Sequence, residues 1–206
     1  MIEPEIIEPK EYLHNIDKNA LGSLPNTVFK GEIIVVDNAA QTESAVEYLS
    51  QFNILGFDTE TKPVFIKGIK RLPALLQLST DNRAYLFRLN ATGIPSILSK
   101  LLENKNIIKV GAAVHDDIKG LIKLKKMKPA GFVDLQNIVE NYGIMEKSVQ
   151  KIAAIVLNVR ISKSQQLSNW ASSNLTLSQQ IYAATDAWIC RKIYVKLHEN
   201  VLNSIS

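Results

Sequence analysis

The chain is poor in residues that staple or chelate. One residue of 206, Cys190, is cysteine, which excludes an intramolecular disulfide and any zinc site built from this chain's cysteines. That usage points to a reducing compartment. Of the three histidines, His14 and His198 lie in the terminal segments and His115 stands apart, so no histidine metal cluster is expected. Seven prolines and nine glycines, scattered along the chain, rule out collagen-like and low-complexity architectures. No run approaches the ~18 apolar residues of a membrane span, and the opening MIEPEIIEPKEYL has four glutamates but no apolar signal-peptide core. The expectation is a soluble, unexported protein without membrane contact, cytoplasmic or, in a eukaryote, nuclear.

What is present describes one folded domain. The chain is 46% hydrophobic and 21% charged, and 23.0 kDa suffices for one core. The net charge of +4 hides an asymmetry: residues 1–20 carry five acids against two bases, leaving +7 for the remainder. The densest basic cluster is KGLIKLKKMK, with Lys119, Lys123, Lys125, Lys126 and Lys128; a second group is Lys62, Lys67, Lys70 and Arg71. Such charge suits a phosphate backbone, although either cluster alone is more often a solvated surface.

Residues 1–30, interrupted by Pro4, Pro9 and Pro25, read as an irregular arm with at most a short helix, and 31–206 as the folded domain. EIIVV (32–36) is a β-branched run, followed by Asp37 and Asn38 as helix-start residues and by Ala45, Val46, Leu49 and Phe52 at helical spacing. NILGF (53–57) reads as a buried strand ending in Asp-Thr-Glu. ALLQLS (74–79) and AYLFRL (84–89) are strands around the turn signal Asp81-Asn82. A short helix near 94–103 leads to the strand IIKVGA (107–112) and then to a helix entered through His115, Asp116 and Asp117. Phe132-Val133 forms a short strand with Asp134 placed to cap the helix after it. The segments 148–158 and 175–197 are helical, the second with an apolar stripe of Leu177, Ile181, Ala184 and Trp188. Clustered strands followed by alternating strands and helices predict an α/β fold, one mixed sheet covered by helices.

Three features carry chemistry. In GFDTETK, Asp58 and Glu60 stand two apart at a strand end, so an extended backbone turns both carboxylates to one face. Carboxylate oxygen is the donor that Mg²⁺ and Mn²⁺ prefer, though a lone D-x-E also describes a strand running into a solvated turn. In KVGAAVHDDIKGL, Asp116 and Asp117 open a helix; capping accounts for one aspartate better than for two. In YAATD, Tyr182 and Asp186 share a helix face. Together they supply four carboxylates and a phenol from a strand end, a helix start and a helix face, all able to meet at one sheet edge.

These residues, taken with LLQLS, FVDL, SKSQQLSNW and YAATDAW in that order, resemble the DEDD-type 3'-5' exonuclease family, in its tyrosine subgroup, over about Glu32 to Leu197. The resemblance implies a ribonuclease-H-like fold with a mixed five-to-six-stranded sheet flanked by helices, and two divalent ions, Mg²⁺ or Mn²⁺, as cofactors. Carried over, Asp58 bridges both ions, Glu60 and Asp186 hold the one that activates water, Asp117 serves the second, and Tyr182 orients the attacking water. Asp117 is preferred to Asp116 because Ile118 and Leu121 then keep the family's register. The histidine subgroup would place its histidine at Ile181, which favours the tyrosine assignment. Thr59, Gln77 and Trp170 are the candidate substrate contacts, Trp170 either stacking on a base or packed in the core.

Two departures bear on substrate. Many members have asparagine where this chain has Ala113, and ribonuclease D relatives read Arg-Pro-Leu where it has Ser173-Asn174-Leu175. Neither removes a ligand, and both leave DNA against RNA open. The expected activity is two-metal hydrolysis of DNA or RNA from the 3' end, releasing nucleoside 5'-monophosphates. The competing readings are a non-catalytic nucleic-acid-binding or scaffold domain on the same fold and a carboxylate-metal hydrolase of small molecules.

Overall fold

Short β-branched and leucine-rich runs build the centre of the molecule, and helices cover both of its faces. The structure, a computed structural model, describes residues 12–61 and 72–199. Helix α1 (Lys18–Ser23) opens behind Asp17, whose carboxylate accepts the amides of Asn19 and Ala20. Strand β1 (Glu32–Val36) leads to α2 (Ala39–Leu49), capped by the Asn38 side chain on the Gln41 amide. The antiparallel run β2 (Ile54–Thr61), β3 (Pro73–Ser79) and β4 (Arg83–Arg88) comes next. After α3 (Leu89–Thr92) and α4 (Ser96–Glu103), strands and helices alternate: β5 (Ile108–Gly111), α5 (Val114–Leu124), β6 (Phe132–Asp134) and α6 (Leu135–Ile138). A 3-10 turn (Val139–Tyr142), α7 (Val149–Leu157) and α8 (Leu177–Leu197) complete the described chain.

The six strands lie in the order β1-β4-β3-β2-β5-β6, parallel at β1/β4, β2/β5 and β5/β6. The architecture is one mixed sheet flanked by helices, as expected. β2 runs further than the sequence suggests. It carries Asp58, Thr59 and Glu60 inside the ladder, setting Asp58 opposite Gln77 and Glu60 opposite Leu75, with a bulge at Glu60/Thr61. Pairing with β3, which is buried along its whole length, holds the motif extended.

The two faces differ in character. On one, Leu55, Phe57, Leu76, Leu78 and Phe87 pack against Leu49 of α2, Leu98 and Leu102 of α4 and Leu121 of α5. On the other lie α7 and α8, where Ile152 and Val156 meet Ile189 and Ile193. The stripe expected on α8 needs correction: Leu177 is 70% exposed, Ile181 and Trp188 are half-buried, and the buried face is carried by Ala183, Ala184, Ala187 and Cys190. The reason is distance. α8 lies so close to β2 that a Cβ on Gly56 would sit 2.0 Å from the Ala187 carbonyl oxygen and 2.4 Å from Ser79 Oγ. A search for large apolar residues misses a helix face built from small ones.

That contact predicts the outcome of Gly56→Ala. Neither obstructing atom is the far end of a flexible chain, so the substitution should cost about 3 kcal/mol, the upper range for overpacking. At about 2–4 °C per kcal/mol for a domain of this size, thermal denaturation should show a clear drop in midpoint; an unchanged midpoint would contradict the packing described.

Candidate active site

The close approach of α8 brings acids from two elements together. Period-two alternation puts Gly56, Asp58 and Glu60 on the face of β2 that α8 covers. α8 starts at a capping box, in which the Thr176 hydroxyl accepts the Gln179 amide and the Gln179 side chain accepts the Thr176 amide. Its third turn delivers Asp186. One oxygen from each of Asp58, Glu60 and Asp186 lies within 4.8 Å of the others. An all-carboxylate set of this size suits a hard divalent cation, so the donor chemistry fits the ions the resemblance implies.

Asp117 reaches the site from the other side of β2. Its Oδ1 accepts the Thr59 hydroxyl at 2.5 Å, and Thr59 alternates away from Asp58 and Glu60. Asp116 is exposed and pairs with Lys119. The α5 terminus is fixed by Asp134, whose carboxylate accepts the amides of Ala113 (3.0 Å) and Val114 (3.1 Å) besides that of Gln136. Asp134 therefore secures two helix starts, not only the one after it. Ala113 adopts a left-handed conformation, φ 55° and ψ 35°, that asparagine takes more readily than alanine.

Crowded buried acids hold their protons. Burial first, then the nearby Asp186, Glu60 and Asp117 carboxylates, raises Asp58 well above the usual range. Burial and the charges of Asp186 and Asp117 push Glu60 up to about 9. Burial raises Asp186 to about 7, against the opposing pull of the Tyr182 hydroxyl bond and Lys163. Asp117 rises to about 6, with the Thr59 hydroxyl restraining it. Tyr182 is driven upward by burial and the same acids, so its phenol stays protonated at neutral pH.

Asp58, Tyr182 and Asp186 line a cleft of about 190 Å³ whose other wall carries Ser162, Lys163 and Gln166. Lys163 and Gln166 escaped the sequence reading. They fall within SKSQQLSNW, but their spacing carries no pattern of its own, and only the fold returns the loop to the acids.

Three expected substrate contacts are corrected. Trp170 is 1% exposed, packed with Leu75, Leu86 and Ala183, so no base can stack on it. Gln77 is fully buried beneath α8 and does not line the cleft. Thr59 is 8% exposed with its hydroxyl committed to Asp117, so it holds a carboxylate rather than a substrate. Lys119, Lys123, Lys125, Lys126 and Lys128 are exposed on α5 and the chain after it. The group Lys62, Lys67, Lys70 and Arg71 lies outside the described residues.

A family model described as 3'-5' exonuclease matches residues 33–202. The chain belongs to the 3'-5' exonuclease family. Family members are hydrolases that use divalent metals. The bifunctional 3'-5' exonuclease/ATP-dependent helicase WRN of Mus musculus is 32% identical over 185 residues, covering 85% of this chain and 13% of that protein. Exonuclease 3'-5' domain-containing protein 2 of Drosophila melanogaster is 36% identical over 150 residues, 71% of this chain and 25% of that protein. The chain thus spans a quarter or less of these two relatives. The fold is shared with the Aedes aegypti Nibbler EXO domain (TM-score 0.74, 22% identity, covering 86% of this chain and 94% of that one). It is also shared with Escherichia coli RNase D (TM-score 0.74, 22% identity, covering 84% and 46%). No helix among the described residues is long and apolar enough to cross a membrane.

The raised carboxylates set a pH dependence. Acids whose values rise on folding, from 3.8 or 4.5, bind more protons folded than unfolded. Their stabilisation is complete below about pH 4 and is lost as pH climbs through about 6, 7 and 9. In chelator, the thermal midpoint should therefore fall between pH 5 and 8, and saturating Mn²⁺ should raise it most at the upper end. A Glu60→Gln/Asp186→Asn variant should flatten the decline. A midpoint that rises with pH in chelator would contradict the cluster's electrostatics.

Proposed function

We propose that this chain is a 3'-5' exonuclease that hydrolyses phosphodiester bonds at the 3' end of DNA or RNA and releases nucleoside 5'-monophosphates. The observation that carries this reading is the convergence of Asp58, Glu60 and Asp186 within 4.8 Å, with Asp58 and Asp186 lining a cleft that also presents Tyr182 and Lys163. Asp58, Glu60 and Asp186 would hold one divalent ion, Mg²⁺ or Mn²⁺, and Asp117, with Asp58 shared, would serve a second. When bound, such ions lower the pKa of water and neutralise charge on the phosphoryl group.

The protein's own groups do the rest. Tyr182, protonated and one turn before Asp186, gives its single hydroxyl hydrogen to the Asp186 carboxylate; with that carboxylate engaged by a cation, the same hydrogen would turn to the attacking water and hold it in line with phosphorus. Lys163, whose charge already acts on Asp186, faces the phosphate entering the cleft. The water oxygen gives up a proton to solvent and bonds to phosphorus as the bond to the leaving 3' oxygen breaks, and that oxygen takes up a proton from solvent. The lysines between Lys119 and Lys128 attract the upstream backbone.

End-labelled single-stranded, recessed and overhanging DNA and RNA, each with Mg²⁺, Mn²⁺ or chelator, test the reading. Metal-dependent loss of nucleotides from the 3' end is expected; digestion from the 5' end, or binding without turnover, would contradict it. Tyr182→Phe keeps the ring but deletes its hydrogen bond and should lower turnover by ~10² to 10⁴. Asp117→Asn should abolish most activity while Asp116→Asn retains much of it; equal losses would overturn the choice of Asp117. Neutralising several lysines from Lys119 to Lys128 should weaken substrate binding and flatten its salt dependence, and an unchanged slope would leave that face merely solvated.

A further inference from the structure

The face of β3 beneath α8 carries buried polar groups that nothing satisfies. Leu76 and Leu78 point into the opposite core, so alternation sends Leu75, Gln77 and Ser79 toward α8. Gln77 and Ser79 are 0% exposed and Trp170 is 1% exposed. Gln77 Nε2 and Oε1, Ser79 Oγ and Trp170 Nε1 have no hydrogen-bond partner among the described residues. Folded proteins satisfy nearly all such atoms, so each calls for a physical account.

Ser79 has a nearby answer. Its Oγ and the Ala187 carbonyl oxygen crowd the same point beside Gly56, at 2.4 and 2.0 Å from it. The two oxygens are thus at most about 4.4 Å apart, and a small shift of the Ser79 side chain would bring its hydroxyl to that carbonyl. The remaining atoms are the two of the Gln77 amide and the indole N–H, and the register says what they can meet. Asp58 stands directly opposite Gln77 on β2, and Leu86 stands opposite it on β4. Directly opposed side chains share a face with Cβ atoms about 4.5–5.5 Å apart. Trp170 packs on Leu75 and Leu86, which flank Gln77 on that face.

The donor and acceptor inventory then closes. An indole offers only a donor, a primary amide offers an acceptor and donors, and a cation-binding carboxylate offers acceptors. We propose that Gln77 is a positioning residue for Asp58: the Trp170 N–H holds the Gln77 carbonyl, and the Gln77 amide N–H holds one Asp58 oxygen when a divalent cation occupies the carboxylates. The terminal torsion of glutamine is broad and permits that turn. Hydrogen bonds of this kind orient a ligating group and typically govern affinity for the ion by 10- to 100-fold. The inference rests on the metal-dependent reading of the site and adds a chain of contacts on the buried side of Asp58, with the Trp170 ring also packed on Tyr182 at 5.9 Å between centroids.

Calorimetric titration of Mn²⁺ into the wild type, Gln77→Leu, Trp170→Phe and the double variant tests it, together with thermal midpoints in chelator. Gln77→Leu should bind Mn²⁺ at least about tenfold more weakly while its midpoint in chelator is unchanged or higher, because the substitution removes an unpaired buried amide. Trp170→Phe should weaken binding about threefold, and the double variant should be no worse than Gln77→Leu, since both remove one chain of contacts. Wild-type affinity in Gln77→Leu, or losses that multiply in the double variant, would overturn the inference and leave the exonuclease reading standing. Should Gln77→Leu fail to fold, Trp170→Phe decides: undiminished Mn²⁺ affinity in it overturns the proposal. A wild type that binds no Mn²⁺ would overturn the metal-dependent reading itself, and this inference with it.

Discussion

The site depends on how closely α8 lies against β2. Gly56 leaves no room for a side chain beneath Ala187, and Ala183, Ala184 and Ala187 keep the helix face thin. Bulk is confined to the ends of that contact, where Ile189 and Ile193 anchor the helix in one core and Trp170 packs on Leu75 and Leu86 at the other. Apolar burial at about 25 cal/mol per Å² therefore fixes a geometry that electrostatics opposes. Burial raises Asp58, Glu60 and Asp186, and neighbouring negative charge raises the first two further, so the cluster strains against the packing that assembles it. A divalent cation removes that conflict, and the same repulsion becomes affinity for it.

Strand alternation divides the acids. Asp58 and Glu60 face α8 and meet Asp186, whereas Thr59 faces the other way and takes Asp117 from α5. One extended strand thus serves helices on both sides of the sheet. Asp117 has its own support in the Asp134 carboxylate, which holds the two amides at the left-handed entry to α5 and the first turn of α6. The three-carboxylate cluster and the separate fourth acid arise from this division.

Much of this was legible from patterns that report directly on local geometry. The β-branched run EIIVV, the apolar NILGF and the helical segments correspond to β1, β2, α7 and α8 within a few residues. D-x-E on an extended backbone and Tyr182/Asp186 on one helix turn are likewise local. What was not legible depended on approach between distant elements. Apolar size alone draws the α8 stripe through Leu177, while the real contact selects alanine over leucine. Trp170 and Gln77 look available to a substrate because nothing local shows that α8 buries the face of β3 that carries Gln77 and against which Trp170 packs. Lys163 stands beside Asp186 only because its loop returns from more than twenty residues away in sequence.

The central claim is that one cation is held jointly by the strand and the helix. A crystal structure of the protein soaked with Mn²⁺, with anomalous scattering to locate the ion, tests it most directly. The account predicts an anomalous peak with oxygens of Asp58, Glu60 and Asp186 all in its coordination shell, about 2.0–2.6 Å away as for hard divalent ions. No peak at this cluster at saturating Mn²⁺, or a peak bound by β2 alone with Asp186 out of reach, would contradict it.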